Sequence, residues 1–245
     1  MALVALTLDV LKSIFSTLDK AGCKNRRVLS LGYPDILANQ EQIRLIFGEA
    51  VFAKLDYRDD SAAILRWHGA ERVTDRVTDA KQLFFALGYE LEVIDMVQAR
   101  GEEIIHDLND PIPENLHERY GVVIDAGTLE HCFNIGQAAR NVAAMVCVGG
   151  MVMHGNPLNM YNHGFYNLNP TWYYDFYEAN GFAVEFMKLV NDSVGTPQLT
   201  AVSPYGRFGA VAENTVLLVV ARRMASLPLR WPIQKKYRDN PTLAK

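Results

Sequence analysis

Apolar residues recur along this chain in two rhythms. Leu8, Leu11, Phe15 and Leu18 share one helical face ahead of Gly22, so the first 25 residues predict an amphipathic helix. Short apolar or β-branched runs then predict strands at Val28 to Leu31, Leu91 to Ile94, Glu103 to His106 and Val122 to Ile124. Further strands are expected at Met151 to Met153, Ala183 to Val190 and Thr215 to Ala221. Helical spacing reappears at Glu41 to Phe47, at Ala80 to Leu87 before Gly88, and at Ala138, Ala139, Val142, Ala143 and Val146. Gly149-Gly150 is expected to stop the last of these. Another helix is expected from Pro170 through Tyr177, closing near Asn180-Gly181. The stretch Tyr120 to Leu158 reads as strand, polar turn, helix and strand without a break, and it organises the rest. Strands alternating with helices predict an α/β protein with a doubly wound, mostly parallel sheet.

Two regions fit this pattern poorly. Residues 38–80 mix apolar and charged positions, with no clear period from Ile64 to Arg76, and are expected to form an insertion or lid. Residues 223–245 carry basic residues and three prolines, and are expected to be irregular. A chain of 245 residues can bury one sizeable core, so 1–245 is read as a single domain.

Charge narrows the partners. A net charge of -4 argues against nucleic acid or an anionic membrane surface, both of which reward clustered Lys and Arg, and favours a small-molecule partner. No apolar run reaches the roughly 20 residues of a membrane span. Cys23, Cys132 and Cys147 are too few and too scattered for a disulfide framework or a zinc pattern, which points to a reducing, cytoplasmic setting. A homo-oligomer stays open.

Candidate chemistry gathers at strand ends. Asp95, Asp107 and Asp125 close three successive strands, and in a parallel sheet they face one edge, where carboxylates can accept hydrogen bonds from a ribose diol or an adenine amino group. Asp also ends strands for purely local reasons. Gly32 follows the first strand, where glycine permits close backbone approach to a ligand.

These segments together resemble the class I S-adenosylmethionine-dependent methyltransferases. VLSLG ending at Gly32 resembles that family's glycine-rich first motif, VIDM at Val93 to Met96 the acidic end of its second strand, and HDLNDPIP at His106 to Pro113 its third-strand end. YGVVIDAGTLEH followed by VGG resembles its fourth strand, the turn after it and the entry to the fifth. The resemblance covers residues 26–222 and implies a seven-stranded sheet with the last strand antiparallel. It implies S-adenosyl-L-methionine as cofactor, with Gly32 and Tyr33 near its methionine part, Asp95 and Met96 at the ribose, Asp107 and Leu108 at the adenine, and Asp125, Ala126 and Gly127 at the reacting end. The first motif departs from the family at Ser30, Pro34 and Ile36, and about sixty residues separate Gly32 from Asp95.

On the acceptor side, His131 follows Glu130 in the turn after the central strand, where it could take a proton from an acceptor hydroxyl, so these two are the candidate catalytic residues. His154, His163 and Tyr166 lie at or beside the fifth strand's end and are candidate substrate contacts. The spacing of His131, His154 and His163 matches no helical or hairpin ligand pattern, so no metal is expected. There is no G-x-G-x-x-G, no phosphate loop, no G-x-S-x-G and no H-E-x-x-H. The expectation is a methyltransferase that modifies a small polar acceptor at oxygen. Its rivals are a binding or scaffolding protein that keeps the sheet without the cofactor, and an enzyme for another adenosine ligand such as NAD.

Overall fold

The computed structural model describes residues 2–191, 197–240 and 242. The chain divides into two compact units, Met1–Asp107 with Tyr120–Ala126, and Leu108–Arg119 with Gly127–Lys245.

In the first unit, β1 (Ala2–Leu3) leads into α1 (Ala5–Lys20), which buries Leu8, Leu11, Ile14, Phe15 and Leu18 on one face. Gly22, at φ +71°, lets the chain leave the helix, and the Cys23 N–H donates back to the Leu18 carbonyl. β2 (Arg27–Leu31) follows, and the chain then pairs β3 (Asp35–Ile36) in parallel with β1. Residues 38–80 hold α2 (Gln40–Phe47), α3 (Glu49–Phe52) and α4 (Ser61–His68). α2 opens on a reciprocal cap in which Asn39 and Gln42 each accept the other's backbone N–H. Ile64 and Leu65 of α4 join Leu37, Ala70 and Val77 in a small core. α5 (Ala80–Ala86), capped by Asp79, precedes β4 (Glu90–Asp95), β5 (Ile104–Ile105) and β6 (Tyr120–Asp125).

The strands of this unit lie in the order β5-β4-β2-β6, and every pairing is parallel. Numbered by appearance in the sheet, that is the 3-2-1-4 half of a Rossmann-like fold. β6 is buried along its whole length, as a strand covered on both faces must be.

The second unit contains α6 (Ile135–Met145), β7 (Val146–Pro157), α7 (Pro170–Ala179), β8 (Phe182–Asn191), β9 (Gln198–Ala201), β10 (Val216–Arg223) and α8 (Lys235–Arg238). Their order is β7-β10-β8-β9, with β10 antiparallel to β7 and to β8. All seven expected strands are therefore present, and the last of them runs against both its neighbours. β9 is additional; it pairs antiparallel with β8 in the stretch between the last two expected strands.

The end of α6 differs from expectation. The helix stops at Met145, and Val146 and Gly149-Gly150 belong to β7 instead. Val146 and Val148 favour extended backbone, and Gly149 supplies a φ of +83° that other residues resist. No described helix is long and apolar enough to cross a membrane.

Candidate active site

The register of the first unit aligns the residues at its carboxyl edge. Leu31 pairs with Ile94, and the Gly32 N–H, at φ +80°, donates to the Ile94 carbonyl at 2.7 Å, which sets Gly32 beside Asp95. Ser30 pairs with Ile124, so Leu31 and Asp125 come level, and Asp95 pairs with Ile105, two residues before Asp107. The reversal of strand order falls between β2 and β6, and in open parallel sheets ligands sit beyond the carboxyl ends at such a point. Asp95 and Asp107 are half-buried, while Met96 is exposed. Asp95 accepts the Val97 N–H through Oδ1. Asp125 is fully buried.

Beside this edge lies a cluster that the sequence reading did not foresee. Tyr33 is buried, with the guanidinium carbons of Arg58 and Arg100 at 5.3 and 5.4 Å from its ring centre. Its hydroxyl donates to Asp79 Oδ2 at 3.3 Å and receives Arg58 Nη1 at 3.4 Å. Burial, seconded by Asp79, pushes the phenol pKa up despite Arg58, so Tyr33 stays neutral. Asp35 is buried and accepts from Arg100 Nη2 at 3.1 and 3.3 Å, with His68 Nε2 at 3.0 Å. Glu103 collects the N–H groups of Arg100, Gly101 and Glu102 and so shapes the loop that delivers Arg100. Tyr33, Arg58, Asp79, Lys81, Arg100 and Glu102 border a cleft of about 180 Å³.

The second unit carries a different group. A single 3-10 turn, Leu129–His131, follows Thr128 and sends Glu130 inward and His131 outward. Glu130 is 1% exposed, while the side chains of His131 and His163 are 48% and 47% exposed. Glu130 Oε2 accepts Asn156 Nδ2 at 2.8 Å, and the Tyr173 hydroxyl donates to Asn156 Oδ1. Glu130 Oε1 lies 3.6 Å from His163 Nε2 and 3.9 Å from His131 Nε2, and the two imidazole rings are 5.1 Å apart. His163 reaches this place because the Glu130 carbonyl accepts the N–H groups of Phe165, at 2.8 Å, and Tyr166, at 3.3 Å. A Cβ at Gly164 would stand 2.8 Å from that carbonyl oxygen, so only glycine allows the approach.

Of the expected acceptor-side residues, the structure brings together Glu130, His131 and His163. Tyr166 anchors the same loop by donating its hydroxyl to the Phe133 carbonyl at 2.8 Å. His154 lies apart in the interior, with Nε2 2.5 Å from the Tyr177 hydroxyl and its ring against Tyr173. Asn156 was missed, although it lies two residues after His154 on the same strand face. Leu108 is buried, and its carbonyl and that of Asp110 both accept from Asn141 Nδ2, a second residue that the sequence reading passed over. Of the other residues expected near a cofactor, Ala126 and Gly127 are half-buried, and Gly127 has a φ of +97°.

No protein-family profile and no curated protein matches the chain. Among solved structures it is similar to the Burkholderia thailandensis 1,6-didemethyltoxoflavin-N1-methyltransferase with bound 1,6-didemethyltoxoflavin and S-adenosylhomocysteine. That likeness has 11% identity and a TM-score of 0.45, over 89% of this chain and 79% of the other. It is similar also to the DszA carbon methyltransferase, at 12% identity and a TM-score of 0.47, over 89% of this chain and 54% of that one. A third likeness is to the C9 mutein of the branched-chain polyamine synthase from Thermus thermophilus in complex with N4-aminopropylspermidine and 5'-methylthioadenosine, at 13% identity and 0.45, over 94% of this chain and 58% of that one. The chain spans little more than half the length of the last two. Likeness of this degree assigns no activity.

Proposed function

We propose that the chain is a methyltransferase that uses S-adenosyl-L-methionine and modifies a small polar acceptor at oxygen, the whole chain working as one methyltransferase-like domain in the cytoplasm. The observation that supports it is the 3-2-1-4 parallel order of the first unit, with Gly32, Asp95, Asp107 and Asp125 at the carboxyl ends of its four strands. The donor set suits an adenosyl group. In this reading the half-buried carboxylates of Asp95 and Asp107 accept from a ribose diol and an adenine amino group, and Gly32 presents backbone with no side chain in the way.

Such a cofactor supplies an electrophilic methyl group on a sulfonium sulfur, which keeps the bonding electron pair when the acceptor oxygen takes the carbon. The chain's own part is to hold the acceptor in line and to receive the proton that its hydroxyl loses. Glu130, His131 and His163 serve that end, with Tyr166 fixing the loop that carries His163. His154, being interior, supports this group through Tyr173 and touches no acceptor.

A second reading has a specific observation behind it. Ser30 and Ile36 are buried, Tyr33 is held by two arginines, and the adjoining cleft is smaller than the roughly 300–1,000 Å³ typical of small-molecule sites. That arrangement favours a binding protein that keeps the sheet without the cofactor. Melting curves with S-adenosylmethionine and S-adenosylhomocysteine separate the two. The enzyme reading expects a rise in Tm that Asp95→Ala abolishes while the variant stays folded. No rise with either compound would leave the binding protein standing.

A further inference from the structure

We propose that Glu130, His131 and His163 form a binding site for one divalent first-row transition-metal ion, of which Zn2+ is the type. One ligand atom from each of Glu130, His131 and His163 lies within 4.8 Å of the other two, and Glu130 Oε1 stands 3.6 Å from His163 Nε2 and 3.9 Å from His131 Nε2. Two imidazoles and one carboxylate are the donor set that holds zinc in open, three-ligand sites and non-haem iron in facial triads. Bonds of about 2.1 Å in tetrahedral geometry set ligand atoms about 3.4 Å apart. The observed 3.6 and 3.9 Å exceed this by a few tenths, which half-exposed histidine side chains can close by rotating about χ1 and χ2.

What separates this group from a chance meeting of polar side chains is how Glu130 is held. Its carboxylate is buried, one oxygen takes Asn156 Nδ2, and Asn156 is oriented in turn by the Tyr173 hydroxyl, so the other oxygen is aimed toward both histidines. Such an outer layer of hydrogen bonds is what fixes a ligating carboxylate. Gly127 and Gly164 keep the surroundings clear: a Cβ at 127 would come 3.3 Å from Oε1, and one at 164 would meet the Glu130 carbonyl. His154, the third histidine of the sequence pattern, takes no part because it is committed to Tyr177.

With the ion bound, Glu130, His131 and His163 would hold it in place of taking the proton themselves, and three protein ligands leave coordination positions for an acceptor oxygen, whose proton the ion would make easier to lose. That use rests on the methyl-transfer reading; the binding of the ion does not. The test therefore needs no cofactor. Chelator-treated full-length protein is titrated with ZnCl2 by calorimetry, and with CoCl2 by visible absorption. Wild type is expected to take up one equivalent with a d–d spectrum of reduced symmetry. His131→Ala, His163→Ala and Glu130→Gln should each weaken binding by at least about tenfold, with melting curves confirming that they fold. His117→Ala, an exposed histidine elsewhere, should change nothing. Absence of stoichiometric uptake by wild type overturns the proposal, as does uptake that survives loss of both His131 and His163. Loss of Zn2+ uptake leaves the S-adenosylmethionine melting shift free to succeed or fail separately.

Discussion

The surroundings of Asp35 and of Glu130 both enclose a buried carboxylate, and they treat it in opposite ways. Asp35 meets Arg100 at 3.1 and 3.3 Å and His68 at 3.0 Å, and those two partners are themselves largely covered. Its charge is answered inside the protein. Glu130 faces its two histidines at 3.6 and 3.9 Å, beyond ordinary hydrogen-bond length, and they stand half in solvent. Distances of the first kind are those of direct charge-assisted bonds, whereas those of the second come within a few tenths of an ångström of the spacing of ligand atoms around a shared ion. A site and a structural cluster can thus share a composition and differ in closure.

The sharpest way to break the comparison is to remove the carboxylate that is closed off. Asp35→Ala leaves Arg100 and His68 without the group that answers them, and breaking a buried pair in this one-sided manner costs about 3 kcal/mol. Urea unfolding should show that loss with an unchanged m-value. A change under about 1 kcal/mol would mean that water already screens the cluster.

A smaller effect is expected on the open side. In Gly164→Ala the new Cβ would press on the Glu130 carbonyl, a backbone atom that cannot swing aside, so the loop holding Phe165 and Tyr166 must retreat. Overpacking of this sort costs about 1–2 kcal/mol. Because His163 travels with that loop, Zn2+ uptake should fall more steeply than stability does. Stability lost with uptake intact would show that the loop does not place His163.

How far the sequence revealed these features follows from the range of the forces involved. Strands such as Val122 to Ile124 were legible because a buried central strand is a run of β-branched residues, and α1 because its apolar face repeats every turn. The end of α6 was misjudged because two glycines read as a stop, while the β-branched Val146 and Val148 had already turned the chain extended. α4 was hidden because its buried apolar residues, Ile64 and Leu65, are adjacent, the third buried position is the polar Ser61, and Trp67 points outward, so no apolar period forms. Glu130 and His131 could be picked out from their place after a strand. Their meeting with His163 could not, since it depends on two backbone hydrogen bonds across more than thirty residues. Tyr33 read as part of a damaged glycine motif; its partners Arg58 and Arg100 lie far along the chain, in segments without pattern.

The mildest test concerns the rim of the closed cluster, where Arg58 grips Asp60 with Nε at 2.8 Å and Nη2 at 2.9 Å. That two-point bond to Arg58 holds the Asp60 carboxyl below the usual carboxylate range, against a small opposing effect of burial. A carboxylate with a lowered folded pKa contributes stability above its unfolded value of about 4, and loses that contribution as pH falls through the folded value. Asp60 is 46% exposed, so solvent limits the gain to less than about 1 kcal/mol. Unfolding free energies of wild type and Asp60→Asn should therefore differ by that small amount at pH 6 to 7 and converge as pH falls below the folded value. A gap that persists at low pH would assign the effect to the amide's geometry instead of the charge, and would place Asp60 outside the ionic accounting that closes the cluster around Tyr33.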